Sequence, residues 1–209
     1  MNNFLRITAL IALAALPAAA ATFTINNTGG GPEGFADPNW SLSGGTAYVT
    51  IDGQYPFGPW LANSVDSSWI SPAPSYASSA FDNIPGAYTY STTFDLTGLN
   101  PNSATLSFVV AADDALTDVI LNGASQGISY VGLASFSGLF TINTDFIGGI
   151  NTIEFVTANG GSLNSPTGLR VEFSDATADE LSGLPEPSSI ALLGFGTILL
   201  FSRRFRTAK

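Results

Sequence analysis

The sequence predicts an antiparallel β-sandwich, on three observations. Glycine and proline punctuate the chain densely, with 22 Gly and 12 Pro in 209 residues. The intervals are rich in Thr, Val, Phe, Tyr and Ile, which favours short strands joined by turns. Outside the two apolar ends, no window shows helical periodicity.

The strands follow in order. TFTIN, AYVTI and SSWIS supply three short candidates in the first half, where the connections are long. YTYSTTFDL alternates most clearly, with Tyr88, Tyr90, Thr92, Phe94 and Leu96 on one face. ATLSFVVAA then places Leu106, Phe108 and Val110 together. TDVILNG ends a further strand at Asn122-Gly123, a pair suited to the positive-φ positions of a tight hairpin. LFTIN, NTIEFVTA and GLRVEFS complete the set, with Ile153, Phe155, Leu169, Val171 and Phe173 inward. SDATADELSG, residues 174–183, is small, acidic and turn-rich, and reads as a linker. The sandwich is thus expected over 22–173, with no internal repeat.

The two ends are of another kind. Residues 1–21 have the parts of a secretory signal: Arg6 near the start, the apolar stretch Ile7 to Leu16, and small residues Ala18 to Ala21. Cleavage after Ala20 or Ala21 would start the mature chain near Thr22. At the other end, residues 190–201 are apolar or small. A helix of that length spans roughly 18 Å, short of the roughly 30 Å hydrocarbon core. The basic cluster Arg203, Arg204 and Arg206 flanks this marginal span, and such clusters stay cytoplasmic. Export by the first segment and retention by the second give an N-outside, C-inside intermediate.

Charge bounds the middle. Once both ends are set aside, Arg170 alone stands against 15 acidic side chains, a net charge of about −14. This balance repels nucleic acid and anionic membrane surfaces. It admits Ca²⁺ or neutral glycans. Cysteine is absent, so the fold holds through its apolar core without disulfides or thiolate metal sites. Histidine is absent too, which removes Ser-His-Asp and Cys-His catalysis and His-ligated zinc. A carboxylate glycosidase needs only two acids at a set separation, yet no Glu lies in a recognisable motif. The expectation is a protein that is not an enzyme.

Three features could carry binding chemistry. Sugars stack their C–H faces on exposed aromatic rings, so Trp60, Trp40 and Tyr55 are candidates. Trp60 follows Gly-Pro in a turn-rich segment and is expected to be exposed, Trp40 is open to either placement, and Trp69 in SWI is expected in the core. Asp113, Asp114 and Asp118 at an expected strand end offer hard oxygen ligands suited to Ca²⁺. Their spacing is not that of an EF-hand loop, and the alternative is a solvated turn in which Asp caps backbone N–H groups. Gly29-Gly30-Gly31 lacks the helix and lysine of a phosphate loop.

Two resemblances add to this. Pro185-Glu186-Pro187, then an apolar segment over 188–201, then Arg203-Arg204-Phe205-Arg206 resembles the PEP-CTERM sorting signal of Gram-negative bacteria, over residues 184–209. The resemblance implies a tail recognised by a membrane-embedded exosortase and removed near Pro185-Glu186-Pro187. The helix is then a transient inner-membrane anchor, and the product goes to the cell surface or an exopolysaccharide and biofilm matrix. Separately, FDLTGLNPNSATLSFVVAADDALTDVILNG followed by FTIN, GGINTIEFVTANGG and PTGLRVEF is similar to the galactose-binding-domain-like jelly roll of carbohydrate-binding modules. It implies that fold over roughly Tyr88 to Phe173 and identifies a fold better than an activity.

Three roles therefore stay open. A glycan-binding module predicts exposed aromatics. A structural matrix or surface protein predicts three buried tryptophans and self-association or protein partners. A glycoside hydrolase predicts two acids facing across a cleft.

Overall fold

The computed structural model describes residues 19–54, 58–75, 84–161 and 165–181. Among the described residues eleven strands run in the order β1 (Ala20–Thr22), β2 (Ser41–Leu42), β3 (Tyr48–Val49), β4 (Ile70–Ser71), β5 (Gly86–Asp95), β6 (Thr105–Leu121), β7 (Ala124–Ser125), β8 (Tyr130–Gly132), β9 (Phe140–Ile142), β10 (Ile150–Asn159) and β11 (Gly168–Asp179). A 3-10 turn, Pro101–Ser103, is capped by the Asn100 side chain. The described chain is all-β, every strand pairing is antiparallel, and the arrangement is consistent with a β-sandwich. Among the described residues no helix is long and apolar enough to cross a membrane. The expected signal and sorting segments lie almost wholly outside the described residues.

β6 organises the fold. Its first half pairs with β11, from Thr105 opposite Thr177 to Asp113 opposite Gly168. Its second half pairs with β10, from Ala115 opposite Ala158 to Leu121 opposite Ile153. β9, β8 and β7 pair with successive parts of the same strand. One strand therefore belongs to two ladders. ATLSFVVAA and TDVILNG, expected as separate strands around an Asp-rich turn, are continuous through Asp113 and Asp114.

Parity explains how both halves reach one core. Leu106, Phe108, Val110, Ala112 and Leu116 are buried even-numbered positions, whereas Val119 and Leu121 are odd. The register with β10 slips between Val156 and Thr157, leaving Thr117 as the extra residue, and its hydroxyl donates to the Val156 carbonyl at 3.0 Å. A bulge of one residue switches the face of everything after it. β11 repeats the device: Leu169, Val171 and Phe173 face the core, the register slips between Phe173 and Asp175, and Ala178 is buried in turn. The linker expected from residue 174 is thus corrected: β11 continues to Asp179, because the broken alternation at Ser174 marks a bulge.

The remaining strands follow their patterns. Tyr90, Thr92, Phe94 and Leu96 are buried on one face of β5 and its exit. Asn122 at φ 51° and Gly123 at φ 84° make the two-residue hairpin between β6 and β7, as Asn-Gly predicts. TFTIN is a strand only in its first residue, Thr22. Beyond it the chain stays beside β11 through Phe23 N–H to the Ala176 carbonyl and through Asn27 and Thr28 side chains bonded to Phe173 and Val171.

Asn122 and Asn151, one from each half of the sequence pattern resembling a jelly roll, clamp the loops at this end. Asn151 is fully buried. Its carbonyl oxygen accepts from Ile147 N–H and from the Asn122 amide, and its own amide donates to the Ile147 and Gly149 carbonyls, all within 2.9 Å. Asn122 accepts from Thr152 N–H at 3.0 Å. Truncating Asn151 to alanine leaves several part-buried backbone groups without their partner, each worth up to about 1–3 kcal/mol when unsatisfied. A loss of about 2–4 kcal/mol in urea denaturation is expected, with the 144–151 loop losing amide protection first.

Candidate functional site

The aromatic candidates lie inside. Trp40 is 5 % exposed, Trp60 8 % and Trp69 not at all. Tyr55 lies outside the described residues. Trp40 packs against Phe155 and Phe173 at 5.6 and 6.4 Å between ring centroids, and its indole N–H donates to the Asn26 and Asn27 carbonyls. Asp37, three residues earlier, is buried and accepts from Gly29, Gly30 and Asn39 N–H groups. The glycine run is thus wrapped around a carboxylate of the chain itself. A Cβ on Gly30 would meet the Asn39 amide at 2.5 Å.

Trp60 and Trp69 form a second, smaller core with Ala111, on the face of β6 and β11 opposite the main one. Their centroids are 4.4 Å apart, and Trp69 donates to the Leu61 carbonyl at 2.7 Å. Gly168 makes room for the Trp60 ring, since a Cβ there would lie 3.1 Å from it. The expected exposure of Trp60 is therefore corrected: its backbone runs through a turn, but small residues on the outer sheet face leave a slot that the ring fills. Neither Trp60 nor Trp40 offers a sugar a flat open ring.

The same small core shelters Arg170, the one basic residue among those described. Arg170 is 2 % exposed. Its Nε donates to Ser67 Oγ at 2.6 Å, one terminal nitrogen to the Ala62 carbonyl, and the other to Ser64 Oγ at 2.8 Å and Glu172 at 3.1 Å. The guanidinium carbon lies 4.8 Å from the centre of the Phe136 ring. Glu172 sits two residues on along β11, hence on the same face, and also accepts from Ser67 Oγ at 2.7 Å. The domain's single cation is spent on tying residues 61–68 to β11, so none of it is offered to an anionic ligand.

Asp113, Asp114 and Asp118 do not converge. Asp113 is 5 % exposed and Asp114 is exposed beside it, while Asp118 lies farther along β6 and accepts from Val119 N–H. Among the described residues no group of three or more Asp, Glu, His or Cys side chains is placed to hold a metal ion. Asp118 thus stands apart from the other two.

What forms instead is a carboxyl pair. Burial pushes the Asp113 carboxyl up to about 7, the neighbouring Asp114 charge and a hydrogen bond between the two carboxyls push the same way, and the Trp60 N–H opposes them. Asp114 accepts from Gly160 N–H, and the Thr167 hydroxyl donates to the Asp113 carbonyl at 2.6 Å. The pair fastens β6 to the ends of β10 and β11 where β6 passes from one ladder to the other. Carboxyls in direct contact leave no room for a sugar ring and water between them, so this pair is not a glycosidase's.

Sequence reasoning missed Phe35, which is 67 % exposed and the one aromatic among the described residues that stands out in solvent. Two residues before it, Glu33 accepts from Asp52 N–H at 3.4 Å, and Asn63 donates to Asp52 at 2.7 Å. The signal available was the PEGF turn, glycine at φ 82° turning the chain outward before the ring.

The proline, glutamate and arginine residues of the sorting motif, Pro185, Glu186, Pro187, Arg203, Arg204 and Arg206, lie outside the described residues. No family model matches the chain, and no curated protein matches it. Among solved structures, the CBM35 of Paenibacillus barcinonensis is similar at 16% identity, with a TM-score of 0.36, over 66% of this chain and 96% of that one.

Proposed function

We propose that this is an exported, non-catalytic β-sandwich protein of a Gram-negative envelope that serves as a structural component of the cell surface or exopolysaccharide matrix. On this reading an exosortase recognises Pro185-Glu186-Pro187 and the Arg203, Arg204 and Arg206 cluster, and the C-terminal helix is an inner-membrane intermediate. The observation that carries the structural role is the burial of all three tryptophans. The arginine's commitment to the interior points the same way. The exposed surface that remains is acidic and hydroxyl-rich, suited to partners of its own kind bridged by cations, or to neutral polymers. A second reading, glycan contact, is favoured by one observation, the exposed Phe35 ring.

Affinity gel electrophoresis of the protein through the host's own exopolysaccharide separates the two. The structural role predicts unretarded migration, with self-association detected by sedimentation. Retardation that is lost in Phe35→Ala would establish glycan contact in its place.

A further inference from the structure

The expected export cleavage points, after Ala20 or Ala21, fall inside β1. In the folded protein Ala20, Ala21 and Thr22 stand opposite Asp179, Ala178 and Thr177 of β11. Glu180 N–H donates to the Ala19 carbonyl at 2.8 Å, and Phe23 N–H donates to Ala176 at 3.0 Å. The scissile backbone is therefore already engaged along the edge that faces β11.

An endopeptidase that reads small residues takes its substrate as an extended segment and binds the backbone by strand addition. The groups of Ala19, Ala21 and Phe23 that face β11 cannot serve a protease at the same time. β11 is also the last strand described, separated from β1 by nearly the whole domain. At 5–20 residues per second, the partner of β1 is absent for roughly 10–30 s after the cleavage point has been made.

We propose that folding masks the export cleavage site: the bonds after Ala20 and Ala21 are open to a signal peptidase only until β11 pairs with β1. A chain that completes its sandwich first stays uncut and keeps its N-terminal apolar segment. This rests on the exported reading above. It adds that the order of cleavage and folding is written into the β1–β11 ladder.

The test uses the uncleaved full chain, folded in detergent micelles, and a synthetic peptide of residues 1–30, each incubated with purified bacterial signal peptidase. Mass spectrometry reads the cut site and rate. The peptide is expected to be cut after Ala20 or Ala21, and the folded chain at least tenfold more slowly. Glu180→Pro removes the N–H that holds Ala19 at an exposed position, and is expected to raise the rate towards that of the peptide. Equal rates for folded chain and peptide overturn the masking. A slow folded chain that Glu180→Pro leaves unchanged also overturns it, since protection then comes from elsewhere. A peptide that is not cut at all overturns the export signal itself, and the masking with it.

Discussion

Replacing Arg170 by alanine is expected to destabilise the protein by about 3–5 kcal/mol, the range for removing one member of a buried ion pair. The loss has two sources. The Ala62 carbonyl, Ser64 and Ser67 lose their donor together, and Glu172 keeps a half-buried charge with no cation beside it. Residues 61–68 should detach from β11, carrying Trp60 and Trp69 away from Ala111. Tryptophan emission would then shift to the red at urea concentrations where the main core is still protected from hydrogen exchange. Arg170→Lys should recover little, because an ammonium cannot hold three directions of donor from one planar group. Arg170→Met should do better than alanine if packing against Phe136 carries much of the effect.

The second large effect depends on pH. Asp113 carries a proton in the folded state up to about pH 7, whereas its unfolded value is 3.8. Between those values the folded protein binds more protons than the unfolded one, so stability falls as pH rises. The contribution is fully present below about pH 4 and gone above about pH 7. At 1.36 kcal/mol per unit this amounts to at most about 4 kcal/mol. Asp113→Asn keeps a neutral group that still meets Asp114 and Trp60, and its denaturation midpoint should be nearly flat from pH 5 to 8 where the parent declines. Parallel curves for parent and variant would refute the buried proton. Asp95 and Asp145 are held below their usual range, by hydrogen bonds from Thr97 and from Gln126 and Thr144 respectively, so they act oppositely, weakening the fold only as pH drops through the acid range.

Much of the sandwich could be read from alternation alone. Tyr90, Phe94, Ile153, Phe155, Leu169 and Val171 are buried where period-two patterning puts them. Alternation failed where a bulge changed its phase: Thr117 hid the continuity of β6, and Ser174 made the end of β11 resemble a linker. Both are single residues whose effect depends on a partner strand, which no local window contains. The site was less legible. Trp60 follows a Gly-Pro turn, and a turn fixes the path of the backbone but not the pocket that Gly168 and Ala111 leave for the ring. Arg170 carried a usable signal, a lone cation at an outward position of an apolar strand in an acidic domain.

The ladder between β1 and β11 also has a mechanical consequence. In the uncut chain Ala20 stands opposite Asp179, so both ends of the folded region leave the same end of one antiparallel pair. Tension applied across them opens that pair like a zip, loading one rung at a time, instead of shearing many together. A molecule stretched between two anchorages would release β1 at low force while the longer β6–β11 ladder held. The released strand would lengthen the molecule slightly before the body yielded, making the joint a soft first stage of extension.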